Sequence, residues 1–415
     1  MGLVEIPKAP DILKVNNMKR YLSDFNLNIE FVRNCVYDCL NGSSTSSSRW
    51  HRYDTAFFLS HYLQEYLKDS NAKIDISINI KDEIHNILIK DKEKLFPLID
   101  YISECIYKEI KTRTISLDVI DYKMQYDKMA KKYREIGISS IKQQCYDYIA
   151  VNACKSMFLA KIGQYQCASI KNRGQEYGKS AIETWIRTNP KSCKWIFKAD
   201  VKKFYPSVPH DILKKHIRRD IKNEDIYYIV CFLIDTYKEG LCIGSYLCQF
   251  LANYYLSYAY HYVSEQLFTY RRDKRINFIN RILFYMDDII LFGANKKYVK
   301  KAAMLLEKYL NEELKLTLKD NKQLFPLDSR PIDMMGYKIY TFKTTVRKRI
   351  FKNANRVFMK LKGREDMSLE DAYKVISYYG YFKNSSSKKY INKMKITNTL
   401  EIAKEVISNE AKSNI

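Results

Sequence analysis

The sequence predicts an α+β protein in which a helical N-terminal extension precedes a mixed section of strands and helices. Apolar residues recur at helical spacing from Phe31 to Leu40 and from Pro97 to Ile110. Further along, short apolar runs end at carboxylates or glycines, which is typical of strands joined by turns. A helix rich in Lys and Arg follows near residues 345–362. These patterns predict domains at residues 1–120, 121–340 and 341–415.

The composition indicates a protein that binds nucleic acid. Seventy-one Lys and Arg residues stand against 47 Asp and Glu residues, which gives a formal net charge of +24. Aromatic residues make up 14% of the chain and include 35 Tyr. A cationic surface with many rings can bind phosphates and stack on bases. Solubility alone does not explain so large a charge, because like charges repel one another in the folded state.

Other classes of protein are not indicated. The ten cysteines show no paired Cys-x-x-Cys spacing, so the sequence predicts neither a zinc site nor a disulfide framework. There is no recognisable signal peptide and no apolar run long enough to span a bilayer. We therefore expect a cytoplasmic protein without membrane association.

Two adjacent carboxylates, Asp287 and Asp288, interrupt an otherwise apolar stretch. Ile282–Phe284 precede them and Ile289–Phe292 follow, so the pattern predicts two short buried strands joined by an acidic turn. Burying paired carboxylates is costly unless a cation neutralises them, and oxygen ligands suit Mg²⁺. The simpler alternative is a solvated turn between two strands.

Asp200 stands at the end of another predicted strand, after Phe197, Lys198 and Ala199. Carboxylates at the ends of neighbouring strands could hold two metal ions about 3.5–4 Å apart, a geometry suited to in-line displacement at phosphorus. In the alternative interpretation, Asp200 merely begins a loop.

Four motifs in chain order resemble those of reverse transcriptases, and the likeness covers roughly residues 130–390. It implies a right-hand polymerase fold, with the fingers and palm in residues 121–340 and the thumb in 341–415. It also implies an RNA-directed DNA polymerase that takes an RNA template, dNTPs and Mg²⁺, or Mn²⁺, and makes DNA. The motifs are Ala199-Asp200 with Phe204-Tyr205, Gly244 with Gln249, Tyr285-Met286-Asp287-Asp288, and Met335-Gly336-Tyr337.

The resemblance assigns roles to individual residues. Asp200, Asp287 and Asp288 would be the catalytic metal ligands, and the ring of Tyr205 would exclude a ribose 2′-hydroxyl. Its other implied nucleotide contacts are Val201, Ile243, Gly244, Gln249, Arg134, Lys142 and Lys322. Its implied primer and template contacts are Arg173, Met335, Gly336 and Tyr337, although Gly336 also suits an ordinary strand turn.

The predicted thumb carries a stripe of positive charge on one face of its first helix. The alternative is a face that is simply solvated, but the stripe follows the turn that resembles a primer grip, which favours contact with duplex phosphates. The stripe consists of Arg349, Lys352, Arg356 and Lys360.

The segment from Ile243 to Gln249 points to a subgroup within the family. It resembles the aliphatic-Gly-x-x-x-Ser-Gln pattern of diversity-generating retroelements and related bacterial lineages, with Cys248 in place of Ser. An apolar Ile243 near the nascent base pair would relax fidelity. The long helical extension instead favours bacterial antiphage defence enzymes, which use a dedicated noncoding RNA and sometimes a homo-oligomer or an accessory protein.

Three functional hypotheses remain open. The first is a defence-associated reverse transcriptase, and the second is an error-prone enzyme of a diversity-generating element. The third is a polymerase-derived scaffold that binds RNA without activity. The intact Asp200, Tyr205, Asp287 and Asp288 argue against the scaffold, because a scaffold has no need of a costly carboxylate cluster.

Overall fold

The computed structural model describes residues 21–42, 48–70, 80–127, 132–364 and 366–413. Residues 1–20 of the predicted extension and residues 414–415 of the predicted thumb lie outside this set. The helices are α1 (Ile29–Asn41), α2 (Tyr53–Ser70), α3 (Ile80–Lys90), α4 (Phe96–Thr112), α5 (Ile141–Lys161), α6 (Gln175–Thr188), α7 (His210–Asp220), α8 (Glu224–Asp235), α9 (Tyr246–His261), α10 (Lys296–Glu312), α11 (Lys348–Leu361), α12 (Leu369–Lys383), α13 (Lys388–Met394) and α14 (Ile396–Ser413).

Within the described residues, the strands form four separate sheets, with orders β1-β2, β3-β7-β8-β4-β9, β5-β6 and β10-β11-β12. The predicted α+β class is confirmed, and α1 to α4 make the region before the first strand helical. The strands are β1 (Asp121–Asp127), β2 (Lys132–Ile138), β3 (Gln166–Cys167), β4 (Trp195–Asp200), β5 (Phe268–Arg271), β6 (Lys274–Asn277), β7 (Arg281–Tyr285), β8 (Asp288–Gly293), β9 (Gln323–Pro326), β10 (Ile332–Met334), β11 (Tyr337–Ile339) and β12 (Thr344–Val346).

The chain forms two compact units, each assembled from separate stretches. The first contains the described residues up to Gln125, together with Tyr133–Lys161 and Tyr205–Tyr255. The second contains the described residues of Tyr126–Lys132, Ile162–Phe204 and the described residues from Leu256 onward. The predicted domains are contiguous segments with boundaries near residues 120 and 340, whereas these units combine separate stretches of the chain. The predicted boundaries therefore stay predictions. No helix in the described part of the chain combines the length and the hydropathy needed to cross a membrane.

The first unit is built largely from helices whose apolar faces meet. In α4, Pro97 occupies the first turn, where its missing N–H costs no hydrogen bond. The apolar spacing from Leu98 to Ile110 becomes the buried face of this helix, as the sequence predicts. By contrast, α5 is buried on several sides, and its buried side chains include the polar Gln143 and Asp147.

The second unit is organised around the five-stranded sheet. Its central strand β8 is buried from Ile289 to Gly293 because helices cover both faces of the sheet. On one face, Trp185 of α6 packs edge-on against Phe292 at 5.8 Å between ring centroids. Elsewhere, Val299 of α10 lies so close to Gly293 that a Cβ there would come within 2.5 Å of its side chain.

The helices after β12 share a core of their own within the second unit. Ile350, Ala354, Phe358 and Leu361 recur at helical spacing and form the buried face of α11. Side chains of α12 and α14, among them Phe382, complete this core. The basic residues of α11 therefore lie away from the core.

Candidate active site

The two predicted carboxylate sites meet on neighbouring strands of the second unit. β4 and β8 are antiparallel, and Asp200 stands directly opposite Asp288 in their register. Side chains at directly opposed positions project from the same face, with Cβ atoms about 4.5–5.5 Å apart. Two like charges at such a pair destabilise a sheet unless something offsets them.

Backbone hydrogen bonds fix the turn that carries Asp287. The turn joins β7 to β8 through Met286 and Asp287, and Met286 has a φ of 51°, where glycine is more usual. The amide of Met286 donates to the carbonyl of Cys167 at 3.3 Å, and the amide of Val201 donates to the carbonyl of Asp287 at 2.9 Å. The turn that follows Asp200 is therefore tied directly to the acidic turn, which places all three carboxylates at one end of the sheet.

Two lysines lie against the opposed carboxylates. Lys198 is on the same face of β4 as Asp200, two residues earlier, and its Nζ lies 3.9 Å from Oδ1 of Asp288. Lys319 forms an ion pair with Oδ1 of Asp200, and its amide donates to the Asp200 carbonyl at 2.8 Å. These ammonium groups offset part of the repulsion between the carboxylates.

The environment shifts the protonation of Asp288. Burial raises its pKa to about 6, the nearby Lys198 lowers it, and the charges of Asp287 and Asp200 raise it. Near neutral pH the group is therefore ionised, at an energetic cost that a cation would reduce. A strained acidic turn beside a strongly shifted carboxyl is typical of a functional site.

The donor set fits a divalent metal ion. Carboxylate oxygens are hard ligands, and Mg²⁺ is commonly held by one or two carboxylates together with substrate phosphates. Oδ1 of Asp200 is shielded from solvent and has the ammonium of Lys319 as its cationic neighbour, which is the place that a metal ion would take beside this oxygen. Within the described ranges, no group of three or more His, Cys, Asp or Glu side chains is arranged to hold a metal ion.

The turn predicted to hold the primer joins β10 to β11. Met335 and Gly336 have φ values of 54° and 83°, as a two-residue hairpin of this kind requires. A Cβ at Gly336 would come within 2.6 Å of the ring of Tyr381, so this position is closed to other residues. Tyr337 is buried and its ring lies 5.5 Å from that of Tyr381.

Lys198 connects this turn to the carboxylates. Its Nζ donates to the carbonyl of Asp333 in β10 at 2.6 Å, besides lying near Asp288. The carboxylate of Asp333 in turn accepts from Nε of Arg347 at 2.7 Å, just before α11 begins. One lysine thus contacts both the acidic strand ends and the hairpin predicted to bind the primer.

The predicted thumb stripe lies on α11. Lys352 and Arg356 are exposed, and Arg349 is half-buried. Lys360 is exposed but forms an ion pair with Asp371 of α12 at 2.7 Å, so its charge is already shared within the protein. Duplex binding by this stripe stays a prediction.

Two more predicted contacts of the second unit have partners inside the protein. The guanidinium of Arg173 donates to the carbonyl of Gly163 at 3.1 Å, which braces the loop before α6. Lys322 forms an ion pair with Glu307 at 2.5 Å. Either side chain would have to exchange a protein partner for a phosphate, and both roles stay predictions.

Further predicted nucleotide contacts belong to the first unit. The backbone carbonyl of Tyr205 accepts from the amide of Leu241 at 2.8 Å, which ties Tyr205 to the loop before α9. In this loop Ile243 is half-buried, and Gly244 has a φ of 120° with no room for a Cβ against the carbonyl of Gly137. Gly244 therefore allows the loop to pack closely on β2.

The remaining predicted contacts are more dispersed. Gln249 is half-buried in the first turns of α9, and Arg134 lies on β2. The ammonium of Lys142 forms an ion pair with Glu109 at 2.8 Å, and Glu109 also accepts from the hydroxyl of Tyr146 at 2.7 Å. Lys142 is thus held within the helical unit, and its predicted contact with a triphosphate is untested. Val201, by contrast, is buried beside Asp200 in the second unit.

The structure also shows a buried carboxyl that sequence analysis did not identify. Asp147 of α5 is fully buried and accepts hydrogen bonds from Oγ of Ser245 at 2.8 Å and from the amide of Tyr246 at 3.1 Å. It thereby satisfies amide groups at the start of α9 and fixes the Gly244 loop. Burial raises the pKa of Asp147 to about 6, although hydrogen bonds from Ser245, Leu247 and Tyr246 lower it.

Three side chains of structural importance, Lys198, Asp147 and Lys319, were not predicted, and the sequence contains a signal for only two of them. Lys198 could have been found, because strand alternation places it on the same face as Asp200. Asp147 interrupts the otherwise apolar run from Cys145 to Val151, which was also a usable signal. Lys319 carries no local signal, because it reaches Asp200 only through the isolated bridge between Val201 and Leu318.

The sequence matches the protein family model described as reverse transcriptase (RNA-dependent DNA polymerase) over residues 122–339. This match spans more than half of the 415 residues and contains all three predicted catalytic carboxylates. No curated protein matches the sequence.

Solved structures of telomerase from Candida tropicalis are similar to this chain. The complex with a TWJ fragment of telomeric RNA is 12% identical, covers 93% of this chain and 78% of its own, and has a TM-score of 0.43. The apo form is 12% identical, with coverages of 92% and 84% and a TM-score of 0.40. The apo form truncated from the C-terminal domain is 12% identical, with coverages of 64% and 69% and a TM-score of 0.39. Because these TM-scores are low, the family assignment rests on the sequence match.

Replacing Asp147 with Asn should remove a pH dependence of stability. With a pKa of about 6 when folded and about 3.9 when unfolded, this carboxyl binds more protons in the folded state. Its contribution to stability is therefore full below about pH 4 and is lost as the pH rises through about 6, an effect of ~3 kcal/mol.

Thermal unfolding of the wild type and Asp147→Asn across this pH range measures the effect. The variant should gain stability relative to the wild type as the pH rises, because the amide buries no charge. Parallel curves would contradict the assignment.

Proposed function

The chain belongs to the reverse transcriptase family, and on that premise we propose that the carboxylates at the ends of β4 and β8 carry out its catalysis. Membership confirms the predicted right-hand polymerase fold and the activity of an RNA-directed DNA polymerase. Such enzymes copy an RNA template into DNA with divalent metal ions. The observation that carries the proposal is the direct opposition of Asp200 and Asp288, with Asp287 in the adjoining turn.

The proposed metal ligands are Asp200, Asp287 and Asp288, and the proposed ion is Mg²⁺, with Mn²⁺ as a substitute. A bound ion of this kind would lower the pKa of the primer hydroxyl and offset charge on the leaving pyrophosphate. Lys198 and Lys319 favour the ionised form of the carboxylates, because a nearby ammonium stabilises negative charge. The hydrogen bonds that fix the acidic turn hold these groups in place before substrate arrives.

The sugar of the incoming nucleotide is proposed to contact Tyr205. The carbonyl of Tyr205 accepts from Leu241, and a Cβ at Gly240 would come within 2.3 Å of the same oxygen, so the backbone here has little freedom. A ring held on such a backbone can select deoxyribonucleotides by contact, since it leaves no room for the 2′-hydroxyl of a ribonucleotide.

Asp200→Asn and, separately, Asp287→Asn should each reduce nucleotide incorporation by at least ~100-fold. The amide preserves the volume of the side chain but removes the charge that a metal ion needs. Asp200→Asn should change the midpoint of thermal unfolding little, because the lost ion pair with Lys319 is offset by the relieved repulsion with Asp288. Primer extension on an RNA template, together with thermal unfolding, measures both effects.

The matched control is Asp366→Asn, which removes the same charge from an exposed position outside the site. It should leave incorporation unchanged. Activity of Asp200→Asn close to that of the wild type would refute the catalytic assignment, whereas a loss of both activity and stability would indicate a structural role.

Tyr205→Ala should raise the incorporation of ribonucleotides relative to deoxyribonucleotides, because it opens space for a 2′-hydroxyl. Single-nucleotide extension with matched dNTP and rNTP substrates measures the ratio. Tyr205→Phe keeps the ring and should keep the preference. If Tyr205→Ala leaves the ratio unchanged, another residue selects the sugar.

We further propose that the enzyme serves bacterial antiphage defence and copies a dedicated noncoding RNA, as a cytoplasmic protein that acts as a homo-oligomer or with an accessory protein. The support is the helical region α1 to α4 before the first strand, together with the sequence pattern from Ile243 to Gln249. Service in a diversity-generating retroelement is the second candidate, and Ile243 favours it because an aliphatic side chain offers no polar check on the base pair.

Sequencing the RNA that copurifies with the inactive Asp200→Asn variant separates these roles. Defence with a dedicated template predicts one defined noncoding RNA and faithful copies of it by the wild type. Copies with frequent errors that become rarer in Ile243→Gln would favour the diversity-generating role. A random mixture of cellular RNA would contradict a dedicated template.

A further inference from the structure

The hairpin of β5 and β6 is a separate two-stranded sheet in the second unit, with four basic residues at its tip. All four are exposed, and the tip carries a single acidic residue, Asp273. The ring of Tyr270, next to them, is 66% exposed. The basic residues are Arg271, Arg272, Lys274 and Arg275.

Several residues of this hairpin disfavour its folded conformation. Arg271 and Lys274 stand directly opposite each other, so two positive charges share one cross-strand pair. The turn residues Arg272 and Asp273 have φ values of 49° and 58°, a conformation that Asn-Gly adopts more easily. A lone pair of strands is also marginally stable in water. Folding alone does not explain this choice of residues.

One basic residue does have a structural task. The guanidinium of Arg275 lies 4.0 Å from the ring centroid of Phe268 and donates to the carbonyl of Glu265 at 2.6 Å. Arg275 therefore anchors the hairpin to the segment before it. Arg271, Arg272 and Lys274 have no comparable contact in the described residues, so they are available to a ligand.

A second group of exposed lysines lies at the base of the hairpin. Phe278, just after β6, stacks on Tyr298 of α10 at 5.2 Å between centroids. The first two turns of α10 carry Lys296, Lys297, Lys300 and Lys301, all exposed, and the first turn has no acidic residue. Lys296 and Lys301 lie over the rings of Trp195 and Phe278, at 4.9 and 5.1 Å from the centroids, so part of this charge has partners within the protein. Cations in the first turn of a helix oppose its dipole, which disfavours Lys297. Bound phosphates would relieve both groups.

We propose that the hairpin tip and these lysines of α10 form a binding surface for an unpaired segment of RNA, separate from the carboxylates and from the α11 stripe. We name it the hairpin surface, and it comprises Tyr270, Arg271, Arg272, Lys274, Lys297, Lys300 and Lys301. The positive charge matches a phosphate backbone, and the exposed ring of Tyr270 offers a platform for a base.

The geometry of the ribbon favours a single strand over a duplex. Directly opposed residues share a face, so Tyr270 lies with Arg275 on one face, and Arg271 lies with Lys274 on the other. A flexible strand can bend around the tip and contact both faces, whereas a stiff duplex reaches only one. Unpaired bases are also free to stack on an aromatic ring. The inference rests on the proposed function only in that the enzyme encounters RNA.

The test is binding of fluorescent oligouridine by the full chain, at several salt concentrations and without dNTPs. The triple variant Arg271→Gln, Arg272→Gln, Lys274→Gln should bind more weakly, and the slope of log K against log salt should fall by about 2, at about 0.7 per lost phosphate contact. Tyr270→Ala should weaken binding by about five-fold or more without changing the slope, and Tyr270→Phe should not.

The triple variant should also unfold at the same temperature as the wild type or higher, because it removes the repulsion between Arg271 and Lys274. The charge-matched control is Lys388→Gln, Lys389→Gln, Lys393→Gln on α13, which should change the slope far less. An equal loss of slope in both triple variants would overturn the proposal, as would a hairpin triple variant that loses as much affinity for duplex RNA as for oligouridine. Since no nucleotide is incorporated, the outcome is independent of the Asp200→Asn test.

Discussion

The pair of like charges at Asp200 and Asp288 is the interaction on which the site depends. Directly opposed carboxylates destabilise a sheet, and these two cannot move apart, because backbone hydrogen bonds fix each strand end. The amide of Val201 holds the Asp287 carbonyl, and the amide of Lys319 holds that of Asp200. The repulsion is therefore retained in the fold and is offset by lysines rather than relieved by movement.

This arrangement explains why buried apolar strands surround the acidic end of the sheet. β8 is buried from Ile289 to Gly293 between covering helices, which fixes its register against β4. A register slip would turn every side chain of the strand to the opposite face and expose the apolar ones to water. The hydrophobic core thus fixes the position of the charges, and Lys198 extends that order to β10 through the carbonyl of Asp333.

Local patterns were sufficient for the elements but not for their partners. The strands on either side of Asp287 and Asp288, and the buried faces of α4 and α11, follow from apolar spacing within a few residues. The opposition of Asp200 and Asp288 depends on pairing between strands far apart in sequence, which periodicity does not encode. The contact of Lys319 with Asp200 and the hydrogen bonds of Asp147 have the same non-local origin.

The described strands contain a directly opposed pair of acidic residues, Asp200 and Asp288, and a directly opposed pair of basic residues, Arg271 and Lys274. Asp200 and Asp288 are half-buried and have lysines beside them, so the negative charge that is left without a partner is small and lies on a few carboxylate oxygens. That environment suits a small hard cation. Arg271 and Lys274 face solvent, and the described residues provide no ion pair to either. Their positive charge is distributed over the tip of the hairpin of β5 and β6. An extended polyanion can neutralise charge that is distributed in this way.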